Sequence, residues 1–378
     1  MKITGYADRF SVAPGETIRF MVTSDAPRYR ADIVRLVHGD TNPEGPGFQE
    51  REIATKASGE YPGRKQEIHP GSAIMVPTIP SLGSFTMAAM IWPTLPNRRQ
   101  ALFSQWQSNT TEGWALILNE DGCLGLLLGR SPTSWIALTK PLLARHWYSV
   151  GASLDADSGT LTLWQRQLLP YPSADRSETR SVTVGADEVK PWSGPFYMAA
   201  MHTGQLTAHF NGKIDSPRLF DRAIAPDEAD RAVRESMEAL RMPGLVAAWD
   251  FARDTTGTRI HELSRQARHG ETINLPARAM KGWNWTGAEM DWKRAPEQYG
   301  AIHFHEDDLY DAGWQEDFRL EAPHDLKSGI YAARLRSGDD EDHIPFFVRP
   351  PKGKATADIA FLAPTASYMA YANDANSF

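Results

Sequence analysis

One cysteine, Cys123, stands in a chain of 378 residues. No intrachain disulfide can form, and a reducing, cytoplasmic setting is expected. No window approaches eighteen consecutive apolar residues, so no membrane-spanning helix is expected. Met1-Lys2-Ile3-Thr4-Gly5-Tyr6 lacks an apolar core of signal-peptide length. Positive charge is in deficit: 40 Lys and Arg against 47 Asp and Glu leave a net charge of −7. That balance argues against nucleic acid or an anionic membrane as the main partner. The chain has no Gly-rich phosphate loop, no Gly-x-Ser-x-Gly elbow, no fixed-period repeat and no low-complexity tract.

What is present is the composition of a globular protein, with 41% hydrophobic and 23% charged residues. The length suggests two or three domains. Short apolar runs with turn signals between them dominate. Thr17–Ser24 and Arg30–His38 open the series after a Pro14-Gly15-Glu16 turn. Residues 39–70, rich in Gly, Pro and charge, read as loop. Strands at sandwich spacing follow, among them Ser84–Trp92, Gln100–Gln107, Gly113–Asn119, Cys123–Gly129, His146–Leu154, Thr160–Gln165, Pro195–Met201 and Ser216–Phe220. Turns such as Asn119-Glu120-Asp121-Gly122 and Asp155-Ala156-Asp157-Ser158-Gly159 separate them, the pattern of an all-β sandwich. Most of the twelve tryptophans fall on these alternating patterns and read as core.

One helix is predicted over 226–241. Pro226, Asp227 and Glu228 suit a helix N-terminus, and Ala229, Ala232, Val233, Met237 and Leu240 give one apolar face. Leu245–Phe251 is a strand, 255–300 reads as irregular, and strands return at Ala301–His305, Phe318–Glu321, Gly329–Leu335 and His343–Val348. Arg336–Asp342 reads as a polar hairpin loop. Finally, Ala357–Pro364 reads as a buried strand running into the Tyr-bearing segment Thr365–Asp374, the way an α/β layer begins.

Several of these segments resemble known families. Phe85–Trp92, Gly113-Trp114-Ala115-Leu116 and, most of all, Phe210-Asn211-Gly212-Lys213-Ile214-Asp215 with Arg218–Ile224 resemble the laminin-G/concanavalin-like jelly roll. The flanking segments and the tail Pro364-Thr365-Ala366-Ser367-Tyr368-Met369-Ala370-Tyr371-Ala372-Asn373 make the whole order similar to the large (beta) subunit of the N,N-dimethylformamidase family. The resemblance covers essentially all of this chain and the front half or so of that subunit.

The resemblance implies an all-β fold: a jelly roll inserted in a small immunoglobulin-like β-sandwich, plus the first strand of a truncated α/β catalytic domain. The expected divisions are 1–70, 71–245, 246–350 and 351–378. It implies a cytoplasmic amidohydrolase that splits N,N-dimethylformamide into dimethylamine and formate, with a small partner subunit and a higher oligomer. It implies a mononuclear iron held by a tyrosine, a histidine and a glutamate. The tyrosine maps to Tyr371 or Tyr368, and the other two ligands are expected beyond Phe378, which makes this chain alone inactive. A non-catalytic laminin-G-like module that binds carbohydrate or protein is the alternative.

Other groups have plainer readings. His303-Phe304-His305-Glu306-Asp307-Asp308 has the composition of a metal site, with both histidines on one strand face, but it reads first as a strand edge meeting a polar loop. Asp339-Asp340-Glu341-Asp342 reads as a solvated hairpin tip rather than a calcium loop. Asp121, Asp155 and Asp157 are calcium candidates that turn chemistry explains as well. Trp106, Trp114, Trp135 and Trp164 read as core rather than a sugar-stacking surface. Cys123, without a basic neighbour, reads as inert, and His209 as structural.

Overall fold

The computed structural model describes residues 2–107, 112–129, 135–169, 174–185 and 192–370. The chain forms two compact units, Met1–Ile68 with Ala312–Phe378, and His69–Asp311. Among the described residues no helix is long and apolar enough to cross a membrane.

The first unit is a small sandwich built by strict alternation. One sheet pairs Thr17–Ser24 with Ile3–Ala7 and Phe318–Glu321, all antiparallel. The other centres on Arg28–His38, Gly329–Ser337 and Asp340–Val348, with Gln49–Glu52 and Gly59–Pro62 paired to the first of these. Every second residue points inward: Ile18, Phe20 and Val22 from one sheet, and Tyr29, Ala31, Ile33, Tyr331, Ala333, Leu335, Ile344 and Phe346 from the other. The hairpin loop is shorter than expected, because the ladder runs to Ser337 opposite Asp340. Gly338, with φ of 60°, supplies the left-handed residue that so tight a turn needs.

The second unit is the larger sandwich, a jelly-roll-like arrangement of two layers. Sixteen strands form one continuous hydrogen-bonded set that folds back on itself. Phe85–Pro93 shows how the layers are specified. Phe85, Met87, Ala89 and Ile91 face the main core, whereas Ala88 and Met90 face outward, under a helix. Gly151 lies opposite Trp164 on the neighbouring strand, and a Cβ there would fall inside the indole. The glycine is what lets that ring lie flat on the sheet.

The helix is shorter than its apolar pattern predicts. It runs Pro226–Arg234, and a separate turn covers Ser236–Ala239. Glu235 leaves helical geometry (φ −124°, ψ 89°), which turns Met237 out to solvent and buries Ala239 instead. The segment 255–300 is less irregular than it reads. Arg259–Glu262, Gly270–Ile273 and Ala277–Met280 are short strands, and the first two link the Leu245–Asp250 strand to Ala73–Ile79. The unit therefore reaches Asp311 rather than closing near 245.

The tail departs most from expectation. Residues 357–364 form no strand among the described residues, and Ile359, Phe361 and Leu362 are 87%, 73% and 94% exposed. A strand needs a paired neighbour and a covering layer, and neither meets this segment. Thr365–Ala370, expected as loop, is a short helix.

Candidate functional site

The strand Gly212–Phe220 carries the densest chemistry. Its inward residues Ile214 and Leu219 join the main core. Its outer face holds three buried charged side chains, Lys213, Asp215 and Arg218. A bulge between Asp215 and Arg218, with Ser216 at φ 51°, breaks the alternation and aims the last two at different neighbours.

Arg218 points at the helical segment. Its guanidinium donates to the carbonyls of Ala232 at 3.2 Å, Pro217 at 2.9 Å and Trp249 at 3.0 Å, and to Ser236 Oγ at 2.7 Å. It is a staple between strand and helix, and burial pulls its pKa down to about 10. Asp215 faces the segment that follows Met280. Ser216 Oγ donates to its Oδ1 at 2.9 Å, and burial, opposed by that bond and by the Trp283 backbone N–H, pushes its pKa up to about 6.

Lys213 is 9% exposed. Its ammonium lies 4.6 Å from the centre of the Trp92 ring and donates to the Lys281 carbonyl at 3.4 Å. It makes no ion pair among the described residues, and burial lowers its pKa. His303 sits directly across the ladder from Lys213. Its ring is 6.1 Å from Trp92 and 4.0 Å from His305. Burial, then His305 and Lys213, push its pKa down to about 4, so it is neutral at pH 7. His305 turns to Asp308, with Nδ1 3.3 Å from Oδ2, and Ser72 Oγ donates to that same oxygen at 2.6 Å.

The structure thus brings His303 and His305 together but ties Asp308 to Ser72. Among the described residues no group of three or more His, Cys, Asp or Glu could hold a metal ion. Tyr368 is half-exposed on the Thr365–Ala370 helix and stacks on Phe347, with centroids 6.1 Å apart and planes 5° apart. Tyr371 lies outside the described residues.

The plainer readings hold for most of the rest. Asp155 Oδ1 accepts from the Asp157 and Ser158 backbones and its Oδ2 from Ser158 Oγ, a turn satisfied by itself. Asn119, rather than Asp121, organises the neighbouring turn by accepting from the Asp121 and Cys123 backbones. Trp106, Trp114 and Trp164 are buried as core, whereas Trp135, also expected in the core, is 37% exposed. Cys123 is buried and its thiol is pushed up by burial. His209 Nδ1 meets the Ser72 carbonyl at 3.2 Å. Sequence reading missed Lys213 and Asp215 as buried charges. Their signal was a charged residue at alternate positions of a strand that reads as core on both sides.

Comparison with known proteins gives the chain named relatives. The family model described as "N,N-dimethylformamidase beta subunit-like, C-terminal" matches residues 277–377. The N,N-dimethylformamidase beta subunit of Paracoccus aminophilus is 39% identical over 99% of this chain and 52% of its own length. That of an Alcaligenes species is 37% identical over 98% of this chain and 52% of its own length. Among solved structures, a putative carbohydrate-binding protein from Bacteroides ovatus aligns at 11% identity and TM-score 0.39, covering 72% of this chain and 91% of that one. A pentraxin from Limulus polyphemus aligns at 14% and 0.35, covering 53% and 82%. The chain spans about half the length of the curated relatives it matches. Over 98–99% of its length, then, this chain is similar to N,N-dimethylformamidase beta subunits.

Proposed function

We propose that this chain serves a C–N amide hydrolase of the N,N-dimethylformamidase type, acting on a small formamide with water to give an amine and formate. The observation that carries this reading is identity of 39% and 37% to two beta subunits across nearly the whole chain. A beta subunit has by its name at least one other kind of subunit beside it, so a smaller partner chain and a higher oligomer belong to the same proposal, in a cytoplasmic setting. The sandwich units act as scaffold and subunit contact rather than as the reacting surface.

The family resemblance also implies iron, with Tyr371 or Tyr368 as one ligand. The described residues do not fit that group by themselves. Tyr368 has the Phe347 ring as its neighbour, and one phenol oxygen without further anionic or imidazole donors holds no ferric ion. The remaining donors are assigned to the part of the relatives' length that this chain does not span.

The test is dimethylamine release from N,N-dimethylformamide by the native gene product, purified with whatever accompanies it, with intact mass and iron content recorded. Release is expected from iron-bearing material. A Tyr368→Phe, Tyr371→Phe double variant is expected to lose iron in proportion to activity. Absence of release from native material overturns the hydrolase reading, and release with iron unchanged in the double variant overturns the ligand assignment.

A further inference from the structure

The larger unit has a cleft of about 470 Å³ on the side covered by the helix. Its lining comes from three places. Arg145, His146 and Trp147 lead into the strand Tyr148–Asp155, and Gln167 ends its antiparallel partner Thr160–Gln167, with Leu168 and Leu169 following. The Leu168 N–H donates to the Trp147 carbonyl at 2.9 Å, which keeps the two stretches side by side. Arg234 comes from the last turn of the helix, and Trp283 from the segment after Met280. Trp147, Leu168 and Trp283 pack against the core under the helix and remain partly exposed. They give the cleft two indoles and a leucine as apolar wall.

The polar side chains around that wall hold donors without acceptors. Arg145 is exposed, with its backbone fixed by an N–H to the Pro93 carbonyl at 2.7 Å. Its guanidinium makes no hydrogen bond or ion pair among the described residues. The Arg234 guanidinium lies over the Trp283 ring, 5.0 Å from its centre. Its Nε donates to Asp230 Oδ2 at 3.3 Å, and its two terminal nitrogens donate to no described residue. Gln167 is 6% exposed. Its Oε1 accepts from the Arg176 N–H at 3.2 Å, and its Nε2 finds no acceptor. No carboxylate is among the described lining residues, although the chain carries a net charge of −7. Asp230 offsets one guanidinium, and nothing described offsets the other.

We propose that this cleft binds a small arylalkyl carboxylate, a flat ring joined to a carboxylate by a short linker. The wall selects the body, because indole and leucine surfaces take an apolar ring in a cleft of this size. The guanidinium groups select the head. The terminal nitrogens of an arginine match the two oxygens of a carboxylate, and an aromatic face behind the guanidinium keeps it presented. A neutral sugar would leave the Arg145 charge unanswered. Neither the family reading nor the proposed hydrolysis requires this site, and its test does not read activity.

Calorimetric titration of the whole purified protein with phenylacetate is expected to show saturable binding, with a dissociation constant on the order of 10⁻⁴ M. Phenylacetamide keeps the ring and lacks the charge, and is expected to bind about tenfold more weakly. Acetate keeps the head alone and is expected to be weaker by roughly tenfold or more. Arg145→Gln and Arg234→Gln change exposed side chains, and each is expected to weaken phenylacetate about tenfold while leaving phenylacetamide as it was. Arg166→Gln removes a guanidinium that pairs with Asp227 outside the lining, and is expected to bind phenylacetate as the native protein does. No saturable binding by the native protein overturns the site. So does phenylacetamide binding as tightly as phenylacetate, an equal loss in Arg166→Gln, or unchanged affinity in both Arg145→Gln and Arg234→Gln.

Discussion

The two units handle buried charge in opposite ways. In the smaller sandwich, the outward face of the Arg28–His38 and Gly329–Ser337 pair carries a closed ionic network. Arg334 bonds to Glu50, Glu52 and Asp32. Asp32 in turn takes Arg30 at 2.8 Å and Arg336 at 2.7 Å, and Glu50 takes His343 at 2.9 Å. Each buried charge has an opposite charge in hydrogen-bond reach. In the larger sandwich, Lys213, Asp215 and Arg218 sit on one strand, are as deeply buried, and form no ion pair among the described residues. Paired charge holds sheets together. Unpaired buried charge is costly.

The largest effect that tests this contrast comes from Arg334→Leu. The change leaves Asp32, 2% exposed, and Glu50 without the guanidinium they share. Breaking a buried network by removing one partner costs about 3–5 kcal/mol, and urea unfolding of the purified protein measures it. Asp32 has its pKa lowered by hydrogen bonds from Arg30 and Arg336, against the pull of burial. The stability it contributes is therefore present above its unfolded value and lost as pH falls through the folded one, so the loss in Arg334→Leu is expected to shrink in acid. A cost below about 1 kcal/mol would make the two units alike.

Much of the fold was legible because alternation is a local signal. Tyr29-x-Ala31-x-Ile33 and Tyr331-x-Ala333-x-Leu335 announce one inward face whatever lies across from them. The turn at Asn119 and the helix start at Pro226 were legible for the same reason. The helix end was not, since nothing in Arg234-Glu235-Ser236 signals the break at Glu235. The tail misled because Ile359, Phe361 and Leu362 have strand composition, while pairing is a property of neighbours that no window contains. The strand at Gly212 was found by its motif. The packing of Gly282 against Asp215 depends on how a segment about seventy residues later folds back, and spacing carries no record of that.

Lys213→Met sharpens the contrast from the other side. Methionine keeps the length and the apolar stem beside Trp92 and discards an ammonium whose contacts are one aromatic face and one 3.4 Å hydrogen bond. Replacing an unpaired buried charge with an apolar group of similar volume is neutral or stabilising. A gain of up to about 1 kcal/mol is expected in the same urea assay, against the large loss at Arg334. A loss of more than about 1 kcal/mol would mean that the ammonium has a partner beyond those contacts.

The smallest effect is a slope. His303 is held neutral, with its pKa pushed from 6.5 down to about 4, so the unfolded chain binds the proton that the folded chain refuses. Stability from this residue is complete above pH 6.5 and is lost as pH falls toward 4. His303→Gln keeps a polar side chain of similar reach and removes the titration. Comparing unfolding midpoints at pH 7 and pH 5 is expected to show a shallower acid loss in the variant than in the native protein. Because His303 faces Lys213 across the ladder, the double variant with Lys213→Met should fall short of the sum of the two single effects. Additivity would instead place the two side chains in separate environments.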